Sequence, residues 1–180
     1  MENQPKLFEI EPIRIPRPTL KTINGSEVYR KIAEEIINWD QSEKSELEEI
    51  AESIEKYITL RDLSNDNGYE LCRTLETDLC YSPDDELVEI MGGAFQYVHS
   101  VLQKAVEKWV VDCWIKPKFN IGDKIEVSYK GKMHEGEIVK IKESEANYLV
   151  YIPGISSDRT CGIYEKFEDV EPDFFKKNDK

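Results

Sequence analysis

Histidine is scarce in this chain: His99 and His134 are the only two among 180 residues. Neither has a serine or cysteine at a spacing known from nucleophilic catalysis, and no nucleophile-elbow pattern is present. Glycine is also sparse, with nine in all. Gly92-Gly93 follows a helical pattern rather than a strand and lacks the GxGxxG or GxxxxGK arrangement that cradles a phosphate. The four cysteines, Cys72, Cys80, Cys113 and Cys161, share no CxxC spacing. They read as reduced, buried thiols, three of them at apolar helical positions. A zinc site from Cys72, Cys80, His99 and Cys113 is the sharper alternative, but zinc ligands normally arrive in close pairs. Asp84-Asp85-Glu86 has the charge for a divalent cation, and helix capping explains it fully. The longest apolar run, Trp109 to Ile115, is interrupted by Asp112 and falls far short of the roughly 20 residues of a membrane span. The first residues lack the basic and apolar blocks of an export signal. These absences argue against an enzyme, a cofactor, a metal site and a membrane protein, and they point to the cytoplasm.

What is abundant is negative charge, and it is unevenly spread. The net charge is −13. Residues 1–115 hold 12 Lys and Arg against 24 Asp and Glu, a net of −12, while residues 116–180 hold 12 against 13, a net of −1. The break falls at Lys116-Pro117, where helical periodicity gives way to strand-like alternation. The expected fold class is α+β, in four segments: an extended arm (1–22), an acidic helical domain (23–115), a small β-barrel (116–173) and a tail (174–180). In the arm Pro5, Pro12, Pro16 and Pro18 alternate with Phe8, Ile10, Ile13 and Ile15, and proline biases its predecessor toward extended geometry. Such an arm either packs along the body or docks on a partner. Arg14 and Arg17 give it a superficial likeness to a polyproline ligand, without PxxP spacing.

Apolar spacing predicts five helices. The first runs from Ser26, as N-cap, to Trp39, with Val28, Tyr29, Ile32, Ala33, Ile36 and Ile37 inward. A second runs from Ser42 to Leu63, with Leu47, Ile50, Ala51, Ile54, Tyr57, Ile58 and Leu60 or Arg61 along the inward stripe and Glu43, Glu46, Glu48, Glu49, Glu52 and Glu55 opposite. After the turn Asn65-Asp66-Asn67-Gly68, a third runs to Leu79 with Tyr69, Cys72, Leu75 and Leu79 inward. Ser82-Pro83 followed by acids starts a fourth, which stops at Gly92-Gly93. The fifth runs from Ala94 to Ile115 on the stripe Phe95, Val98, Leu102, Ala105, Trp109 and Cys113, with His99 beside it as a core or seam histidine. The stretch Trp109–Ile115 is apolar nearly all round, so it should be covered on several sides as the seam where the helical domain docks on the barrel.

From Phe119 the period becomes two. Strands are expected at Lys124–Tyr129, Lys132–Lys142, Tyr148–Ile152 and Thr160–Tyr164. A helical turn at Phe167–Val170 then precedes a fifth short strand ending at Pro172. Gly136 suggests a bulge or sharp bend, and five short strands bent at a glycine suggest a closed barrel. The matching elements are Phe119-x-x-Gly122-Asp123-x-Ile125-x-Val127, Gly131, Gly136-x-Ile138-x-x-Ile141 and Tyr148-x-Val150. On these, residues 117–173 resemble the SH3-like small barrels of the Tudor and KOW type. The resemblance implies a five-stranded barrel that binds a protein or a nucleic acid. Tudor domains that read methylated lysine build an aromatic cage; the corresponding positions here, Met133 or His134 and Ile152, do not supply its two rings.

Two surfaces carry the functional expectation. Six glutamates over residues 43–55 span roughly 18 Å of helix, approaching the charge density of a duplex, which carries one phosphate charge per about 1.7 Å. Glu46, Glu49, Glu52 and Glu55 are the residues expected to mimic those phosphates toward a partner. On the barrel, Lys116, Lys118, Lys124, Lys130, Lys132, Lys140 and Lys142 outnumber Asp123, Glu126, Glu135 and Glu137. Tyr129, Lys130, Lys132 and His134 at the hairpin are the expected contact there. The leading expectation is a non-enzymatic protein that modulates a protein partner, as an acidic, phage-type inhibitor of a nucleic-acid-binding machine does. The alternative is direct nucleic-acid binding through the lysine-rich hairpin.

Overall fold

The computed structural model describes residues 15–40, 44–65 and 67–170. Of these, residues 18–108 form one compact unit, and residues 15–17 join residues 109–170 in a second. The fold is α+β: helices followed by a four-stranded, curled antiparallel sheet.

The first unit begins with α1 (Ser26–Asp40). All six expected apolar residues are buried. The cap differs by one residue: Gly25 O accepts from Val28 and Tyr29 N–H, and the Asn24 side chain accepts from Ser26 N–H and Oγ. A short 3-10 turn (Lys44–Glu46) leads into α2 (Leu47–Tyr57). The expected continuous helix to Leu63 is interrupted at Ile58-Thr59. Thr59 is extended there and starts α3 (Leu60–Leu63) with a reciprocal capping box. Its hydroxyl accepts from Asp62 N–H, and Asp62 Oδ2 accepts from Thr59 N–H and Oγ. That pattern satisfies donors a helix start leaves open, so it outcompetes continuation. The expected start at Ser42, together with Glu43, lies outside the described residues, as does Asp66.

Helix α4 spans Gly68–Leu79 as expected. Leu71, Cys72 and Leu75 are buried, but Tyr69 is 63% exposed, against expectation. At 3.6 residues per turn it lies about 160° around the helix from Leu71.

The larger correction concerns Gly92-Gly93. One helix, α5 (Asp85–Asp112), runs straight through both glycines. Its cap is Asp84, not Ser82: Asp84 Oδ1 accepts from Leu87 N–H at 2.9 Å, and its other carboxylate oxygen accepts from Trp39 Nε1–H. The inward stripe is Leu87, Met91, Ala94 and Val98, continued by Val106 and Trp109. Gly68 accounts for the first of the two glycines. A Cβ built on Gly68 would sit 2.3 Å from Val88 O and 2.7 Å from Gly92 N. Backbones therefore touch at this crossing, with glycine on both sides of the contact, and Gly92 serves packing rather than termination, whereas a Cβ on Gly93 would meet nothing within 4 Å.

Of the apolar stretch Trp109–Ile115, Trp109 is buried, whereas Val111 is 72% and Trp114 81% exposed, so the expected all-round cover is not found. Two residues on, Val111 lies about 200° around the helix from Trp109. Trp114 is in the left-handed region, φ 54. Trp114 N–H bonds Val111 O and Ile115 N–H bonds Val110 O, the paired bonds that close a helix in a position glycine usually takes.

In the second unit β1 (Lys124–Tyr129), β2 (Lys132–Lys142), β3 (Asn147–Tyr151) and β4 (Ile163–Lys166) pair in sequence order. A helical turn, α6 (Phe167–Val170), follows. The expected fifth strand to Pro172 and the tail lie outside the described residues, as do arm residues 1–14. Gly136 is not the bulge: it pairs regularly with Ile125, and the register shifts between Ile138 and Lys140. A Cβ at Gly136 would meet Val150 Cγ1 at 2.4 Å, so the glycine admits a neighbouring strand's side chain. The sheet's inner face, with Ile125, Val127, Ile138, Tyr148 and Val150, buries the Phe167 ring 4.3 Å from that of Tyr148. The buried Tyr148 hydroxyl accepts from Lys118 and Phe119 N–H, which satisfies a group costly to leave unpaired.

The thiols also correct the expectation: Cys72 is buried and Cys113 half-buried, but Cys80 and Cys161 are exposed. Burial pushes the Cys72 thiol up to about 11, with the Asp84 charge adding to it. Because the thiolate is the reactive form, Cys72 should stay unlabelled by a disulfide reagent at pH 8 until denaturant is added. Cys80 and Cys161 should react at once; prompt labelling of Cys72, read by peptide mass, would contradict its placement. At the helix crossing, Gly68→Ala should destabilise by about 1–3 kcal/mol through overpacking. The lower entropy of the unfolded alanine chain alone predicts a gain of roughly 0.4–1 kcal/mol, so the sign in urea unfolding tests the contact.

Candidate partner-binding surfaces

The acidic helix is built from the inside out. Ile50, Ala51 and Ile54 are buried, which fixes the rotation of α2 and turns Glu48, Glu49 and Glu52 to solvent. Glu46 and Glu55 are exposed as well. The four expected residues do not, however, form one stripe. At about 100° per residue, steps of three drift about 60° each, so Glu46 and Glu55 end on opposite flanks. Their electrical neighbours agree. Glu55 acts on Tyr29, whose hydroxyl is raised by burial first and then by Glu55 and Asp62. Glu46 acts on Tyr81, raised by burial, Asp40 and Glu46. The outward centre of the band is Glu48, Glu49 and Glu52, and Glu48 is paired with Arg30 at 3.5 Å. The clustering signal was present in the sequence; phasing it required knowing which side is buried.

The hairpin brings its four expected residues together. Lys130 (φ 49) and Gly131 (φ 75) both take left-handed conformations, as a tight two-residue turn requires. Register places Tyr129 opposite Lys132 and His134 opposite Val127, so Tyr129, Lys132 and His134 share the face that carries Ile125 and Val127. The Tyr129 and His134 rings meet edge-on, centroids 6.4 Å apart, and Lys130 Nζ lies 5.2 Å from the Tyr129 ring.

The lysines around this hairpin are less free than their number suggests. Lys124 Nζ bonds Glu135 at 2.8 Å, and Lys142 bonds Glu145 at 3.1 Å while resting 4.5 Å from the Tyr164 ring. Hydrogen bonding to those glutamates raises both ammonium groups above the usual lysine range. Arg159 pairs with Glu137. Met133 is 61% exposed and Ile152 buried, so neither stands as a cage wall.

One cluster escaped the sequence reading. Arg17 donates from Nη2 to Glu145 O at 2.7 Å and to Asn147 Oδ1 at 3.2 Å, and from Nη1 to Ala146 O and the Glu168 carboxylate. The Arg17 and Glu168 side chains are each only 13% exposed. The guanidinium also lies 5.9 Å from the Trp109 ring centre, and Trp109 Nε1–H donates to Ile15 O. Arg17 is thus consumed inside the unit, which corrects its reading as part of a polyproline-type ligand. Proline spacing drew attention to the arm, but nothing local in the sequence marks Glu168 as the partner.

His99 is exposed, its ring 6.0 Å from Phe95, rather than a core histidine. Among the described residues no group of three or more His, Cys, Asp or Glu is placed to hold a metal ion. No helix among them is long and apolar enough to cross a membrane. No protein-family model, curated protein or solved structure matches the chain.

Removing Arg17 would strand a largely buried carboxylate and take a donor from Glu145 O, Asn147 Oδ1 and Ala146 O, the last of which keeps Phe167 N–H. Arg17→Ala should therefore lower stability by about 3 kcal/mol. Arg17→Lys, which keeps the charge but loses the planar fork, should recover only part of that. Wild-type stability of Arg17→Ala in guanidinium unfolding would contradict this role.

Proposed function

We propose that this chain is a non-enzymatic interaction protein that binds and modulates a protein partner through the acidic surface of α2. The partner class that fits is a nucleic-acid-binding protein, whose positive groove the carboxylates would occupy in place of phosphates. The observation that carries the reading is the outward band of Glu48, Glu49 and Glu52, flanked by Glu46 and Glu55, on a helix whose other side is pinned by Ile50, Ala51 and Ile54. A fixed array of like charges steers association with a cationic partner and weakens with salt. The chain's net charge of −13 acts in the same direction.

The sheet is the proposal's second element: an SH3-like small barrel of the Tudor or KOW type, acting as the specificity module. The sequential antiparallel meander, the register shift in β2 and the helical turn after β4 support that reading. A second reading, direct nucleic-acid binding, is favoured by the convergence of Tyr129, Lys130, Lys132 and His134 at one turn, since aromatic faces beside cations suit stacked bases and phosphates.

The two readings separate with the full chain. Affinity capture from the native source should enrich nucleic-acid-binding proteins at low salt. The triple variant Glu48→Lys, Glu49→Lys, Glu52→Lys should lose them while its circular dichroism stays unchanged. Undiminished capture by the triple variant would end the acidic-surface reading. A low-salt shift of labelled DNA or RNA, abolished by Lys130→Glu with Lys132→Glu, would install the hairpin reading instead.

A further inference from the structure

The first unit carries a concave surface that none of these expectations uses. A groove of about 690 Å³ opens between the turn at residues 19–22 and the Thr59–Asn65 segment that contains α3. That volume falls within the range of small-molecule sites. Its apolar lining is Leu20 and Leu60, both partly buried against the main core.

Several polar groups of its wall are already committed to their own backbone or a neighbouring side chain. Thr59 Oγ1 donates to Asp62 at 2.6 Å, Ser64 Oγ donates to Arg61 O at 2.7 Å, and Asn65 Nδ2 donates to the same carbonyl at 3.2 Å. On the other wall, Thr19 N–H is held by Thr22 Oγ1 at 2.8 Å. With these groups engaged, the lining offers a visitor chiefly two leucines and two exposed cations, Lys21 and Arg61. In a chain with 37 acidic against 24 basic residues, two cations beside one apolar groove set its charge preference. Asp62 adjoins the wall, and its hydrogen bonds to Thr59 hold its carboxyl below the usual range.

We propose that this groove binds an anionic amphiphile: an apolar body lying along Leu20 and Leu60, with a carboxylate or phosphate head held by Lys21 and Arg61. An aliphatic chain fits better than a partner helix. Stable protein interfaces bury about 800 Å² per partner, whereas two leucines and a short turn offer far less apolar surface. The head group is recognised by charge and hydrogen bonding, so affinity falls as salt rises.

The test uses the full chain with dodecanoate and dodecyl phosphate as probes, below their micelle concentrations. Dodecyltrimethylammonium and inorganic phosphate serve as controls, with binding followed by calorimetry and amide chemical shifts. Both anionic probes should bind and move amides of residues 19–22 and 59–65, while the ammonium and phosphate should not. The exposed-site variant Lys21→Glu with Arg61→Glu should weaken binding at least about tenfold through charge reversal, with unchanged circular dichroism. Dodecyl phosphate binding without dodecanoate would narrow the head group to phosphate and keep the site. No binding by either anion, equal binding of the ammonium, shifts centred elsewhere, or indifference to the double reversal would each overturn the proposal. These outcomes are independent of the α2 charge variants, so failure here leaves the acidic-surface reading standing, and the reverse.

Discussion

One close contact of the helical unit is backbone on backbone: Gly68 at the start of α4 against Val88 and Gly92 of α5. No side chain can enter that space, so the two helices approach closely only with glycine at the crossing. The contact flanks the stripe that buries Leu87, Met91 and Ala94 of α5, with Leu71, Cys72 and Leu75 buried along α4. Helix α2 then lays Ile50, Ala51 and Ile54 into the same core, which includes the six buried residues of α1. Each burial fixes a rotation, and each rotation decides which charges face water. The acidic surface is thus a consequence of core geometry.

In the helical part, glycine does not mark where the helices end, and this decides what the sequence revealed. Gly92-Gly93 looked like a stop and lies inside a helix. The real stops at Cys80 and Trp114, and the turn at Ala146, take left-handed backbone without glycine. A left-handed conformation costs roughly 1–2 kcal/mol for a residue with a Cβ, so such ends leave no compositional trace. Periodicity, by contrast, was reliable: it located α1, α4, β1, β2 and the α6 turn to within a residue or two of their ends. Apolar spacing reports burial, which many residues share, whereas a helix end is decided by one or two side chains such as Thr59 with Asp62.

The candidate sites were legible to the same degree. That α2 is acidic and that the β1–β2 turn gathers Tyr129, Lys130, Lys132 and His134 followed from sequence. The angular spread of Glu46 to Glu55 did not, because a list of every third residue reads as a row until the buried side is known. Lysine counting likewise overstated the positive field of the sheet, since it left out Glu145, which takes up Lys142. Long-range partners such as Arg17 and Glu168, 151 positions apart, leave no signal in local patterns.

Arg17 bears on how charge should be read throughout this chain. It combines a buried ion pair with two carbonyl acceptors, an amide oxygen and an aromatic face, and so its charge is spent on structure. Lys124, Lys142 and Arg159 are spent in the same way, more weakly, at the surface of the sheet. On α2 the balance runs the other way. Glu46, Glu48, Glu49, Glu52 and Glu55 are all exposed on a helix of 11 residues and its entry turn, where repulsion among them costs stability that the core must supply. Positive charge is absorbed by the fold at Arg17 and partly taken up at the surface of the sheet, while α2 displays most of its glutamates, and that local display, more than the net count, is what the proposal of a cationic partner rests on.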